Sequence, residues 1–312
     1  MTEMLNINTT LSDLITKANK IQELCSDEIF AASDLQMTND LKIKGMDLSP
    51  LAAGHLCGKL QVPSRYYSRL VEAKQNKLAA DNINCWLKDD SRKFMLREYD
   101  GHIRGVLSGS YSRYDAPEIL TSVQEVFGDD HFKFKGGFIN EERLHVRLVE
   151  KQMLPIDGED LFAGITLDSS DVGRCGLYAN FFIWKQVCTN GLIIAKSSAK
   201  MFSQKHIGIS HEDFVDSLKA GLENFNTIKD EVAEMIVNNK AIPDKVDLEE
   251  IMERVKNVTK LSDDDVEEVM NLSTKNYDLS NFGIVNGITE IAQKFSLERR
   301  IELETVATQL LA

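Results

Sequence analysis

The chain has 312 residues, 43% of them hydrophobic and 27% charged, with a formal net charge of -13. This is the composition of an ordinary soluble globular protein, long enough to bury one large core or two smaller ones. No apolar run approaches the ~20 residues of a membrane helix, MTEMLNINTT lacks the basic start and apolar stretch of a secretory signal, and five scattered cysteines without a C-x-x-C pair read as reduced thiols of a cytosolic protein.

The negative charge is uneven. From residue 209 onward there are 11 Lys+Arg and 22 Asp+Glu, a balance of -11, so residues 1–208 carry only -2 of the total. An acidic whole therefore leaves room for a polyanion-binding surface in the first two-thirds, while phosphates would be repelled by the tail.

In chain order, Leu11, Leu14, Ile15, Ala18, Ile21 and Leu24 recur at three and four and predict a helix from Thr9 to about Glu28. A short strand is expected over Leu41–Lys44. Ser49-Pro50 is a helix start, with Ser as cap and Pro at the first helical position. That helix runs to about Leu60, turns at Val62-Pro63-Ser64 and is followed by a second to about Ala73 carrying Arg65, Tyr66, Tyr67, Ser68 and Arg69. The spacing invites a DNA-reading helix–turn–helix, although without a flanking basic arm a helical hairpin packed on a sheet is the simpler reading.

From Lys93 the pattern changes to short strands. Lys93–Tyr99 and His102–Ser108 flank Asp100-Gly101, a dipeptide suited to a two-residue hairpin turn. Asp115-Ala116-Pro117 caps a helix to about Phe127. His131–Phe138 with Arg143–Val149, then Leu161–Leu167 with Cys175–Val187, form two more pairs, Gly136-Gly137 marking a strand end or bulge. Tyr178 to Trp184 is apolar on both faces, as in a central strand. Gly191 to about Ser198 reads as a short helix before a polar loop. Helices then follow at about 211–239, 246–258, 263–273, 280–293 and 296–311. The expected class is α+β: an antiparallel, hairpin-rich sheet with packed helices and an all-helical C-terminal part, divided into a helical region 1–92, a β-rich core 93–208 and an acidic helical region 209–312.

The 131–149 ribbon carries the best chemical argument. Alternate strand residues share a face. That puts His131, Lys133 and Lys135 with Arg143, His145 and Arg147 on one side, and Phe132, Phe134, Leu144, Val146 and Leu148 on the other. Like charges opposite one another across strands are unfavourable, so an anion sharing that face would explain it. The first hairpin adds Arg97, His102 and Arg104, and the turn after it Tyr111, Arg113 and Tyr114. Cations for phosphates beside aromatic rings for bases suit single-stranded nucleic acid. The competing arrangement is a face neutralised by the chain's own carboxylates, in particular a lid of acidic helices. Cys175, Cys188, His206 and His211 lack the short Cys pair of a structural zinc site, Cys188 with His206 lacks a readable third group for nucleophilic catalysis, and no nucleotide-phosphate loop is present. No metal, cofactor or catalytic residue is expected.

Three segments carry a family resemblance. LREYDGHIRGVLSGSYSRYDAPEIL (Leu96 to Leu120), VPSRYYSRL with Pro63, Tyr66 and Tyr67, and QVCTNGLIIA with Val187, Cys188, Asn190 and Leu192, followed by His206, resemble a large phage- and plasmid-encoded family classed as a domain of unknown function. The resemblance spans roughly residues 50–212. It implies a mobile-element origin in a bacterial cytoplasm and a leaning toward DNA transactions, and supplies no catalytic residues. The resulting expectation is a non-catalytic single-stranded-DNA-binding protein, a homo-oligomer assisting annealing or recombination. Its contacts would be Lys133, Lys135, Arg143 and Arg147, then Arg97, Arg104 and Arg113, with Tyr111 and Tyr114 stacking on bases. The alternative is an interaction or assembly protein meeting a host or phage partner through its acidic tail.

Overall fold

The computed structural model describes residues 10–156, 158–185, 190–193, 200–204, 210–243 and 245–311; at 129–131, 190–193, 200–204 and 297 it describes the backbone alone. The fold is α+β, as expected. Helix α1 (Leu11–Glu23) opens with a Thr10–Asp13 capping box and stops at Leu24, several residues short of the expected end. The chain then forms strand β1 (Cys25–Ala31), which the helical pattern concealed. Leu41–Lys44 is not a strand: Ile43 makes only isolated bridges to Met37 and Met46, and the short strand is β2 (Asp47–Leu48). Helix α2 (Pro50–Lys59) starts at Ser49, whose side chain accepts from the Ala52 N–H, and α3 (Ser64–Glu72) and α4 (Asn76–Leu87) follow.

Strands β3 (Lys93–Tyr99) and β4 (His102–Ser108) meet at Asp100-Gly101, both at positive φ (46° and 77°), which glycine adopts without steric cost. They complete a four-stranded sheet in the order β1-β3-β4-β2, in which only β2 runs parallel to its neighbour. Helices α2–α4 cover one face, closing a core around Met37, Ile43, Leu56, Ile83, Phe94 and Ile103. The α2–α3 pair is thus a helical hairpin on a sheet.

Helix α5 (Ala116–His131) leads into β5 (Phe132–Ile139), β6 (Leu144–Met153), β7 (Leu161–Ser169) and β8 (Leu177–Lys185), an antiparallel sheet. On the far edge of β8, β9 (Asn190–Ile193) and β10 (Lys200–Gln204) pair with different stretches. The segment expected as a short helix therefore begins as strand β9, and residues 194–199 lie outside the described ones. Leu144, Val146 and Leu148 face the main core, as their alternation predicts. Helices α6 (His211–Asn238), α7 (Leu248–Thr259), α8 (Asp263–Asn276), α9 (Asn281–Ile291) and α10 (Leu297–Val306) match the expected segments, each capped by a Ser or Asp. Phe214, Phe225, Ile288 and Leu303 from these helices, and Leu14 from α1, share the core of the six-stranded sheet. The cores thus divide differently from the expected boundaries at 92 and 208: the β3–β4 hairpin belongs to the first lobe, and the acidic helices are built into the second.

Candidate nucleic-acid interface and the buried ion network

The junction between the lobes is ionic. In the β3–β4 ladder Glu98 faces Ile103 and Arg97 faces Gly105, leaving Arg104 as the extra residue of a bulge. A bulge re-aims its side chain, and both arginines reach the turn after β7. Arg97, fully buried, donates to both Asp27 oxygens at 2.9 Å, to both Asp115 oxygens at 2.8 and 2.5 Å, and to the Asp171 carbonyl at 2.5 Å. Burial opposes its charge, but the Asp115 and Asp27 carboxylates more than offset this and hold its pKa above the ordinary value. Asp115 precedes α5 as expected yet makes no side-chain cap; its carboxylate is committed to Arg97.

Arg104 is equally buried. It donates to the Glu141 carbonyl and stands 3.8 Å from Asp171, while its Nε and Nη2 have no partner among the described residues. That distance exceeds the 2.7–2.9 Å of a charge-assisted hydrogen bond. Burial, with the Asp115 charge nearby, accordingly raises the Asp171 carboxyl to about 7. Its unfolded value is about 3.9, so the folded state holds an extra proton between about pH 4 and 7 and this group's contribution to stability falls as pH rises through that window. Asp171→Asn, which cannot ionise, should gain on the wild type as pH rises: urea unfolding at pH 8 should show a smaller loss, or larger gain, than at pH 5. An identical difference at both pH values would refute the assignment.

Of the remaining expected contacts of this segment, the two tyrosines are also turned to internal partners and Arg113 is only half enclosed. Tyr111 donates to the Ser170 carbonyl at 3.1 Å, and Tyr114, pushed up to about 12 by burial, lies 2.7 Å from Ser122 Oγ and 3.3 Å from His211 Nδ1. Arg113 pairs with Asp27 at 3.2 Å but keeps half its side chain in solvent.

The 131–149 ribbon folds as expected, but its basic side is largely closed. Arg143 donates to Asp168 at 2.7 Å. Arg147 Nε donates to His145 Nε2 at 3.0 Å, which fixes the His145 tautomer, so its Nδ1–H donates to Asp168 at 3.0 Å. Burial alone would raise Asp168; the hydrogen bonds from His145 and Arg143, with the Arg143 charge, outweigh it and hold the carboxyl below its ordinary value. Arg147 Nη2 reaches Glu304 of α10 at 2.5 Å, and Arg300 Nε reaches the other Glu304 oxygen at 2.8 Å. Two things close this face: β7 sets Asp168 directly opposite His145, and α10 brings Glu304 to Arg147 and packs Ile301 against Val149 and Phe182. Arg97, Arg104, Arg143, Arg147, Tyr111 and Tyr114 are therefore corrected from exposed contacts to members of an internal network. Lys133 remains exposed. Lys135, the extra residue of a β5 bulge, stands 4.2 Å from the Trp184 ring centroid.

A larger set of open cations lies elsewhere. Between 59 and 93 the chain carries Lys59, Arg65, Arg69, Lys74, Lys77, Lys88, Arg92 and Lys93 against Glu72, Asp81, Asp89 and Asp90. Lys77 pairs with Asp81 and Arg92 with Asp90; the other cations have no carboxylate within 4.0 Å among the described residues. On the same pair of helices Tyr66 is 42% and Trp86 59% exposed. Arg65, Tyr66 and Arg69 were legible as a basic, aromatic helix; Trp86 and the 88–93 cations carried no pattern that marked them.

The family described as a domain of unknown function (DUF932) matches residues 104–310. The chain belongs to this family. The match begins inside β4 and takes in α5, the six-stranded sheet and the acidic helices, so it runs well past the expected limit near 212 and starts after the Pro63–Tyr67 helix. No curated protein and no solved structure matches the chain. Of the residues that carried the family resemblance, Arg104, Ser108, Tyr114 and Asp115 stand at or beside the lobe junction, while Val187, Cys188 and His206 lie outside the described residues. Among the described residues no group of three His, Cys, Asp or Glu side chains is placed to hold a metal, and no helix is long and apolar enough to cross a membrane.

Proposed function

We propose that the protein binds single-stranded nucleic acid without hydrolysing it, through the exposed faces of α3 and α4 rather than through the β5–β6 ribbon. One observation carries this reading: Arg65, Arg69, Lys74 and Lys88, with no carboxylate partner among the described residues, stand on or beside the same two helices as exposed Tyr66 and Trp86, on a chain that is otherwise acidic. Backbone phosphates meet the cations, and unstacked bases lie on the rings at ~1–3 kcal/mol each. A role in annealing or recombination, in the cytoplasm of a bacterium hosting a phage or plasmid, rests on the family resemblance.

A second reading is favoured by a different surface. Val237, Ile242, Val246 and Leu248 are 55%, 57%, 36% and 51% exposed within a dozen residues, beside exposed Asp247, Glu249 and Glu250. Apolar side chains exposed close together along the chain with a charged rim mark an interaction site, and this rim, where three exposed carboxylates outnumber exposed Lys245, favours a basic partner. A host or phage protein is one source; a second copy offering its α3–α4 face is the other, which would make a head-to-tail oligomer.

Sedimentation of the full chain with a labelled oligonucleotide separates the two. The strand should co-sediment at low salt with wild type. Arg65→Glu/Arg69→Glu should bind about tenfold or more weakly and with a shallower salt slope. Ile242→Asp/Leu248→Asp should leave strand affinity unchanged and abolish any self-association. Wild type that ignores the strand at low salt, or an arginine variant equal to it, would end the nucleic-acid reading.

A further inference from the structure

At the junction of the α2 C-terminus with the start of β3 and the end of β4, a cavity of about 450 Å³ opens to solvent. Its wall brings together Lys59, Arg92, Lys93, Phe94, Ser108 and Ser110, and contains no carboxylate. We propose that this cavity is a phosphate-binding site. Lys59 Nζ and Arg92 Cζ both stand over the Phe94 ring, at 5.5 and 5.3 Å from its centroid. Two cations held against one ring repel each other. Burial and the Arg92 charge both lower the Lys59 pKa, so the ammonium is held where its charge is disfavoured.

Asp90 neutralises Arg92, whose Nη2 also ties down the Lys59 carbonyl at 2.7 Å, but neither Lys59 nor Lys93 has a carboxylate partner among the described residues. An anion between them would relieve the repulsion, as the carboxylates do in the junction network. The hydroxyls of Ser108 and Ser110 lie 2.9 Å apart; one proton serves that contact and the second is available to an acceptor. Between them Gly109 allows the end of β4 to lie against β3, since a Cβ there would come within 2.9 Å of Lys93 Cβ.

The volume lies within the range of small-ligand pockets. Phe94, only 2% exposed, offers no face on which a base could stack. The cavity is thus fitted to a phosphate group and not to a nucleobase. A polynucleotide backbone and a free phosphate compound share that chemistry. The inference rests on the proposed function only for the first source, where the cavity would anchor one phosphate of a strand passing over α3 and α4.

The test uses the full chain, with inorganic pyrophosphate in calorimetry and an oligonucleotide in fluorescence anisotropy. Lys59→Gln/Lys93→Gln should weaken binding about tenfold or more, the scale of a lost charge-assisted hydrogen bond. Ser108→Ala/Ser110→Ala should weaken it less, and Lys219→Gln, at an exposed lysine of α6, should match wild type. Thermal melts of each variant verify folding. Loss of pyrophosphate binding in the lysine variant supports the site even where wild type ignores the oligonucleotide, which would end the nucleic-acid reading alone. Loss of oligonucleotide affinity without pyrophosphate binding supports it as a strand subsite. Saturable pyrophosphate binding that the lysine variant retains, or no change with either probe, overturns it.

Discussion

Replacing Arg97 with leucine is expected to remove about 3–5 kcal/mol from the unfolding free energy, the cost of stripping one partner from a buried ion pair. Typical single-domain stability is about 5–15 kcal/mol, so the variant should unfold at far lower denaturant or fail to accumulate. The loss does not come from volume, since leucine fills part of the space. It comes from Asp27 and Asp115, whose carboxylates are buried against this guanidinium, Asp27 keeping the half-exposed Arg113 besides. Lysine should rescue little, because a point charge cannot supply a fork to two carboxylates at once. Asp115→Asn should cost less than Arg97→Leu, as it removes a charge without stranding one. Arg97 lies on β3 and Asp27 on β1, while Asp115 precedes α5 and Asp171 follows β7, so this residue registers one lobe against the other. Equal urea midpoints for Arg97→Leu and wild type would show that the network contributes nothing to holding the lobes together.

Local chemistry was legible and long-range neutralisation was not. Asp100-Gly101, the Ser49-Pro50 helix start and the Leu144/Val146/Leu148 alternation each depend on residues a few positions apart, and each appears as expected. Strand β1 was missed because CSDEIFA follows α1 with no Gly or Pro to break the pattern; its pairing with β3 is what makes it a strand. The bulge at Arg104 alters strand parity, which no residue type announces. Alternation correctly placed His145 and Arg147 on one side of β6. Whether that side meets solvent depends on Asp168 and on Glu304, the latter 157 positions from Arg147. The same sequence pattern is a basic binding face in one tertiary setting and the floor of an ion network in another.

That contrast sets the second large effect. Glu304→Leu should cost about 3–5 kcal/mol by leaving Arg147 buried without its partner, and Arg147→Met/Glu304→Leu should recover most of the loss. The double variant decides between two roles for α10. As a detachable lid over a basic sheet, α10 would be released by Glu304→Leu, leaving a folded body with stronger strand affinity. The packing argues otherwise: Leu303, Ala307, Leu310 and Leu311 are buried in the main core beside Glu304, so moving α10 would expose that core as well as the ion pair. The expected result is a lower denaturation midpoint with strand affinity per folded molecule unchanged. A Glu304→Leu protein with the wild-type midpoint and tighter oligonucleotide binding would instead restore Lys133, Lys135, Arg143 and Arg147 as the binding face, and would displace α3 and α4 from that role.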